Sequence, residues 1–248
     1  MSKIACLGKS DIGLKRSNNE DAFILKPETG IAAVADGMGG AAAGEIASRI
    51  FTETAMEVFS TPDSSSGQGL FESIQQTFRM ANERILNHVK SNPSHQGMGC
   101  TAELIAFSNE SYILGHVGDS RTYLWRQERL KQLTRDHSLV QEQVDQGLIT
   151  PEDARRHSLR NVILRAVGIS ETLAVDFIRG KCQPGDIFLL CSDGLTDMVE
   201  DHSVQTILSL PADLFTKVER LVESAKSAGG YDNITVVLCE IAPSSPIQ

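Results

Sequence analysis

The sequence predicts an α+β sandwich, with helices packed outside β-sheets. Three observations lead there. Short apolar runs bounded by Gly, Asp and Ser recur along the chain and read as strands. Three longer segments carry apolar residues at a 3.6-residue period and read as helices. The order is strand, strand, two helices, a run of strands, a short helical insert, more strands, a helix and a last strand. That is not the regular alternation of a doubly wound fold.

Taken in order, the acids Glu20 and Asp21 precede the apolar AFIL, and GIAAVAD (30–36) follows as the next strand. Ile46, Ile50, Phe51, Thr54, Ala55 and Phe59 mark one helix face; Leu70, Ile74, Phe78, Ala81, Ile85 and Val89 mark a second. These two helices are expected to form an antiparallel hairpin. The Ser-, Gly- and Pro-rich stretch Ser60–Gly69 between them reads as a flexible loop. AELIAF (102–107), YILGHVGD (112–119) and RTYLWR (121–126) are strands, as are DIFLLCSD (186–193) and NITVVLCEI (233–241). Several are nearly continuous in apolar character, which predicts that both faces are covered. Leu214, Val218, Leu221, Val222 and Ala225 lie on one face of the third helix. The polar segment 140–165 holds Pro151 and Arg155, Arg156, His157, Arg160 and Arg165. It predicts a small helical subdomain beside the sheets, within a single domain spanning 1–248.

Composition bounds the function. The chain has 248 residues, enough for a sizeable core without disulfides or structural zinc. With 32 acidic against 23 basic residues the net charge is -9, which argues against general nucleic-acid binding. No apolar run is long enough to span a bilayer, and the N-terminus lacks a signal-peptide core, so no membrane association is expected. Cys6, Cys100, Cys182, Cys191 and Cys239 are odd in number and scattered, and form no CxxC pair. They read as reduced residues of a cytoplasmic protein.

The strongest chemical signal is a repeated local pattern: an apolar strand ends in Asp at a sharp turn. Asp36 is followed by Gly37, Asp119 by Ser120 and Asp193 by Gly194; Asp232 precedes the last strand. For any one of these, turn chemistry is the simpler account, since Asp-Gly is the commonest hairpin signal. For six acids together, with Glu20 and Asp21, that account weakens. Carboxylates brought close repel, and burying them is costly unless a cation offsets the charge. Oxygen-only ligands select a hard divalent ion such as Mg²⁺, Mn²⁺ or Ca²⁺.

Seven motifs then fall in sequence: Arg16-Ser-Asn-Asn-Glu-Asp21, Asp36-Gly-Met-Gly-Gly40, Met98-Gly-Cys-Thr101, His116-Val-Gly-Asp-Ser-Arg121, Leu133-Thr-Arg-Asp-His-Ser138, Cys191-Ser-Asp-Gly194 and Asp232-Asn-Ile-Thr235. On these the chain resembles the metal-dependent protein phosphatases (type 2C serine/threonine phosphatases), in their compact bacterial form. The resemblance implies a four-layer α/β/β/α sandwich of two antiparallel sheets, with segment 140–165 as a flap. It implies Mn²⁺ or Mg²⁺, as two core ions and a weaker third. Asp36 would bridge the core pair, the Gly37 carbonyl would bind one ion, and Asp193 and Asp232 the other. Glu20 and Asp21 would act mostly through water, and Asp119 would hold the third ion with Asp193. Arg16 would grip the substrate phosphate. A water between the two ions would attack phosphorus in line with the leaving oxygen. The implied partners are phosphorylated proteins and a serine/threonine kinase acting on the same substrates, with a monomer as the working unit.

Two departures stand out. Met38 replaces a His proposed in many eukaryotic members to protonate the leaving group, and a thioether cannot donate a proton. Cys100 replaces the first Thr of the usual MGTT, which implies a packing change. His116 and His137 read as hydrogen-bonded structural residues; His88, His95 and His202 read as surface residues. The basic cluster near Arg155 reads residue by residue as a solvated helix face, and collectively as an attractor for acidic substrates. Gly8-Lys9-Ser10 resembles only the tail of a P-loop: the required Gly is Lys3 and no strong helix follows. A catalytically dead phosphoprotein binder would not need Asp36, Asp193 and Asp232 all intact.

Overall fold

A computed structural model of the chain describes residues 4–39, 43–60, 67–108 and 110–242. The strands are β1 (Ile4–Asp11), β2 (Asp21–Lys26), β3 (Ile31–Met38), β4 (Gly99–Cys100), β5 (Ala102–Ser108), β6 (Ser111–Val117), β7 (Arg121–Arg126), β8 (Arg129–Gln132), β9 (Asp176–Lys181), β10 (Ile187–Cys191) and β11 (Ile234–Ile241). The helices are α1 (Gly44–Val58), α2 (Gly67–Ser91), α3 (Leu139–Asp145), α4 (Pro151–Arg156), α5 (Asp193–Thr196), α6 (Asp201–Leu208) and α7 (Leu214–Ser227).

One sheet runs β1-β11-β10-β7-β8; the other runs β2-β3-β5-β6-β9, with β4 paired to β3. Every pairing is antiparallel. The continuous apolar runs are explained by the period of two along a strand. In β3, Ala32 and Val34 face the gap between the sheets, while Ile31, Ala33 and Ala35 face α1 and α2. In β11, Val237, Cys239 and Ile241 face the gap, while Ile234, Val236 and Leu238 face α6 and α7. Phe188 sits at the centre, edge-on to Phe107 and Tyr112 with ring centroids 5.2 and 4.8 Å away. Each such aromatic pair contributes about 0.5–1.5 kcal/mol beyond its area. The four layers are helix, sheet, sheet, helix, as the resemblance implies.

The helical faces match the spacing that predicts them. Phe51 of α1 meets Phe78 of α2 edge-on at 5.1 Å. Helix α7 buries Val218, Leu221, Val222 and Ala225, and the Asp213 side chain caps it by accepting from the Thr216 N–H at 2.8 Å. Of the stretch Ser60–Gly69, residues 61–66 lie outside the described residues. Gly67–Gly69 are helical and open α2, where a loop is expected. Strands β1, β8 and β9 carry weak apolar patterns because all three lie at sheet edges. Segment 140–165 contains α3 and α4; Pro151 starts α4 inside a capping box made by Thr150 and Asp153. Among the described residues, no helix is long and apolar enough to cross a membrane.

Candidate metal centre

The predicted acids meet at one end of the sandwich. Asp36 in β3 stands directly opposite Asp21 of β2 in the strand register. Asp193 follows β10 and opens α5, Asp232 stands two residues before β11, and Asp119 two residues after β6. Small polar side chains tie the two sheets together here. The Ser192 hydroxyl donates to Asp21 Oδ2 at 2.7 Å. Asn233 Oδ1 accepts from the Glu20 N–H at 2.8 Å, and its Nδ2 donates to the Ile12 and Asn18 carbonyls at 3.0 and 2.9 Å. Thr101 accepts from the Asp36 N–H at 3.2 Å and returns its own N–H to the Asp36 carbonyl at 2.9 Å.

Neither Asp-Gly pair makes the hairpin turn that its sequence suggests. Gly37 stays inside β3, and a Cβ there would stand 2.1 Å from the Gly44 carbonyl oxygen. Gly194 lies in α5, and a Cβ there would stand 1.9 Å from the Asn233 carbonyl oxygen. Only glycine lets neighbouring backbone close so tightly behind the two acids.

The electrostatics are those of crowded carboxylates. Burial pushes the Asp36 carboxyl well above its usual range, and Asp21, Asp193, Asp119 and Asp232 push it further. Asp193 is raised in the same way, by burial first and then by Asp119 and Asp197. Burial lifts Asp21 to about 6, against hydrogen bonds from Thr235 and Ser192. Burial, then Asp136 and Asp197, lift Asp119 to about 7. Glu20 is raised by burial and by Glu45. Asp21 Oδ1, Asp119 Oδ1 and Asp193 Oδ1 are buried without a hydrogen-bond donor. Unsatisfied, mutually repelling oxygens of this kind suit a hard divalent cation, so the residues fit a metal. Among the described residues, no three His, Cys, Asp or Glu side chains stand close enough together to hold an ion as they are arranged, so the fit rests on the donor-free oxygens and not on a formed ligand set. Asp232 is instead turned to Arg16, whose half-exposed guanidinium reaches its Oδ2 at 2.6 Å.

The histidines divide as follows. His116 is buried against Glu103 and the Arg135 carbonyl, and His137 accepts from the Gly118 N–H at 3.0 Å; both are structural, as expected. His202 is exposed. His88 and His95 depart from the surface reading: they are half-buried and hydrogen-bond each other at 3.0 Å. The basic cluster is also less free than its sequence suggests. Arg155 donates to the Thr196 carbonyl at 3.0 Å and Arg160 to Asp197 at 3.2 Å, so both hold the insert against α5. A cavity of about 260 Å³ lies between, lined by Asp119, Asp136, Asp193, Asp197, Arg155 and Arg160 among others. Ser192 and Asn233 are the residues that sequence reasoning passed over. Both stand inside quoted motifs beside an acid, but a lone Ser or Asn there reads as turn chemistry.

The sequence profile of the protein phosphatase 2C family matches residues 8–242. The chain belongs to the protein phosphatase 2C family. It is 39% identical over 233 residues to the serine/threonine protein phosphatase PstP of Mycobacterium tuberculosis, covering 94% of this chain and 44% of that protein. The chain thus spans less than half the length of that relative. It is 36% identical over 236 residues to the serine/threonine phosphatase Stp of Listeria innocua, covering 94% of each. The crystal structure of the PstP catalytic domain with two manganese ions superposes with a TM-score of 0.88 at 37% identity, covering 97% of this chain and 99% of that one. A 2C phosphatase fold with manganese thus accompanies a similar sequence over nearly the whole chain.

Proposed function

We propose that this protein phosphatase 2C hydrolyses phosphoserine and phosphothreonine esters in proteins with the help of divalent cations, Mn²⁺ or Mg²⁺. One observation carries the reading: Asp21, Asp119 and Asp193, the acids whose charges press on Asp36, each leave a buried oxygen without a donor, and a half-exposed arginine pairs with Asp232 beside them. Asp36, the Gly37 carbonyl, Asp193 and Asp232 would hold two ions, with Glu20 and Asp21 acting through water and Asp119 joining Asp193 for a weaker third. Bound there, the ions supply positive charge against the phosphoryl oxygens and a water acidic enough to serve as nucleophile at neutral pH.

The chain's own residues do the rest. Arg16 offers its planar fork to the phosphoryl oxygens, and its pairing with Asp232 keeps the guanidinium at the rim. Ser192 orients Asp21, and Asn233 fixes the Glu20 backbone, so both are positioning residues. Met38 has no proton to give, so the leaving alkoxide takes its proton from water on the Asp119 side. Segment 140–165 serves as a flap over that side, within a single catalytic domain. Phosphorylated proteins, and a serine/threonine kinase acting on them, are the partners of a cytoplasmic monomer.

The test is hydrolysis of a phosphothreonine peptide with Mn²⁺, Mg²⁺, Ca²⁺ or EDTA, with Asp193→Ala in parallel. Turnover with Mn²⁺ or Mg²⁺ that is lost in EDTA and in the variant is expected. Folded protein that is inactive with every metal overturns the reading.

A further inference from the structure

The first and last strands carry a feature that the phosphatase reading leaves unused. Cys6 of β1 and Cys239 of β11 are directly opposite in the strand register, although 233 positions apart in the chain. Their sulfurs stand 2.9 Å apart. Both side chains point into the core between the sheets. Cys239 is fully buried, whereas Cys6 is half-buried on the edge strand. The other cysteines make no such contact: Cys100 and Cys191 donate to the Ala47 and Arg121 carbonyls, each at 3.7 Å.

We propose that Cys6 and Cys239 form a two-electron oxidation site, closed to a reversible disulfide by hydrogen peroxide. The Cys6 sulfur, on the half-buried residue of the pair, attacks a peroxide oxygen, giving a sulfenic acid and releasing one water. The Cys239 sulfur then displaces hydroxide from that sulfenic sulfur and gives up its proton, so the S–S bond forms and a second water leaves. Two thiols are oxidised, and one hydrogen peroxide is reduced to two waters. Burial, and the neighbouring Cys6, push the Cys239 thiol well above its usual range, which leaves Cys6 as the attacking sulfur. Bond formation needs the sulfurs to approach by about 0.9 Å, to the ~2.05 Å of a disulfide. Edge strand β1 has no strand partner on its outer side and can yield that distance.

The test uses the full chain, without metal, before and after hydrogen peroxide. The protein is unfolded in an alkylating reagent, digested without reductant and read by mass spectrometry. A peptide pair joined through Cys6 and Cys239, released by dithiothreitol, is expected. The thermal midpoint of the oxidised form should rise by ~5 °C, because the bond closes a loop of nearly the whole chain. Cys6→Ser should abolish both changes. Five alkylatable thiols after peroxide, a cross-link through Cys182, or sulfinic acid at Cys6 without a cross-link would each overturn the proposal.

Discussion

Glu103 and the acids of the sheet end are both taken out of water, and they are accounted for in opposite ways. Glu103 is fully buried, yet both of its oxygens are engaged. Oε1 meets His116 Nδ1, and Oε2 accepts from the Thr122 hydroxyl at 2.5 Å. His116 passes its other nitrogen to the Arg135 carbonyl at 2.9 Å. Burial alone would lower the His116 pKa, but the facing carboxylate reverses this and holds it at about 9. At the sheet end, Asp21, Asp119 and Asp193 each leave a buried oxygen without a donor. Burial alone therefore does not separate Glu103 from the acids proposed to hold ions; the donor-free carboxylate oxygens do.

The largest expected effect separates the two directly. Asp36→Ala should lower phosphopeptide turnover by ~10³-fold or more while keeping the fold, because it removes a charge that its neighbours repel. Glu103→Ala should instead cost about 3 kcal/mol of stability, because it strands His116 in the core. Turnover and thermal melts on both variants check the pair of outcomes. Near-normal turnover in Asp36→Ala would remove the site assignment. A Glu103→Ala protein of unchanged stability would erase the distinction.

Next in size is the pH dependence. Asp21 and Asp119 bind protons more tightly in the folded chain than unfolded, with pKa values of about 6 and about 7. Below about pH 4 both states are protonated and these acids contribute nothing. Above about pH 7 the folded state must hold them ionised, and their cost is fully present. His116 works in the same direction at higher pH, since its stabilising contribution fades as pH rises through about 9. In chelator, the thermal midpoint should therefore fall between about pH 4 and about pH 7, and excess Mn²⁺ should flatten the slope. A midpoint that rises with pH in chelator would contradict the picture of crowded, unpaired acids.

Much of this was legible in the sequence, and the failures share a cause. The central strands announce themselves because both faces are covered, as in AELIAF and DIFLLCSD. Edge strands such as β8, with Arg129 and Lys131 exposed, do not. Recurring strand-end Asp residues raised the question of a shared site, and the family motifs picked out which acids would form it. The geometry around them was not legible: Gly37 and Gly194 read as turn formers until the carbonyls packed against them are seen. Ser192 and Asn233 owe their roles to the closure of one sheet on the other, which no local pattern records. The Cys6–Cys239 pairing is the extreme case, because it joins the two ends of the chain.

A smaller effect probes the carboxylate that shares a cavity with the insert. Asp119 has an unpartnered buried oxygen and lines the cavity below Arg155 and Arg160. If proton delivery to the leaving group comes from this side, Asp119→Ala should slow alkyl phosphates about tenfold more than aryl phosphates, since phenolate departs with little help. Equal losses on the two substrates would move the proton source elsewhere.

The smallest effect belongs to the exposed cations, where solvent screens every charge. Arg155 and Arg160 are committed to α5, so reversing them would disturb the wall of the cavity as well as its field. Arg156 is exposed on the same short helix and offers a cleaner probe. Arg156→Glu should raise KM for an acidic phosphopeptide about twofold with kcat unchanged, as expected for a screened surface charge acting on encounter. A small aryl phosphate should be unaffected. A parallel change with both substrates would mean that the insert acts through the shape of the cavity, with Arg155 and Arg160 as its struts, and that its charge is incidental.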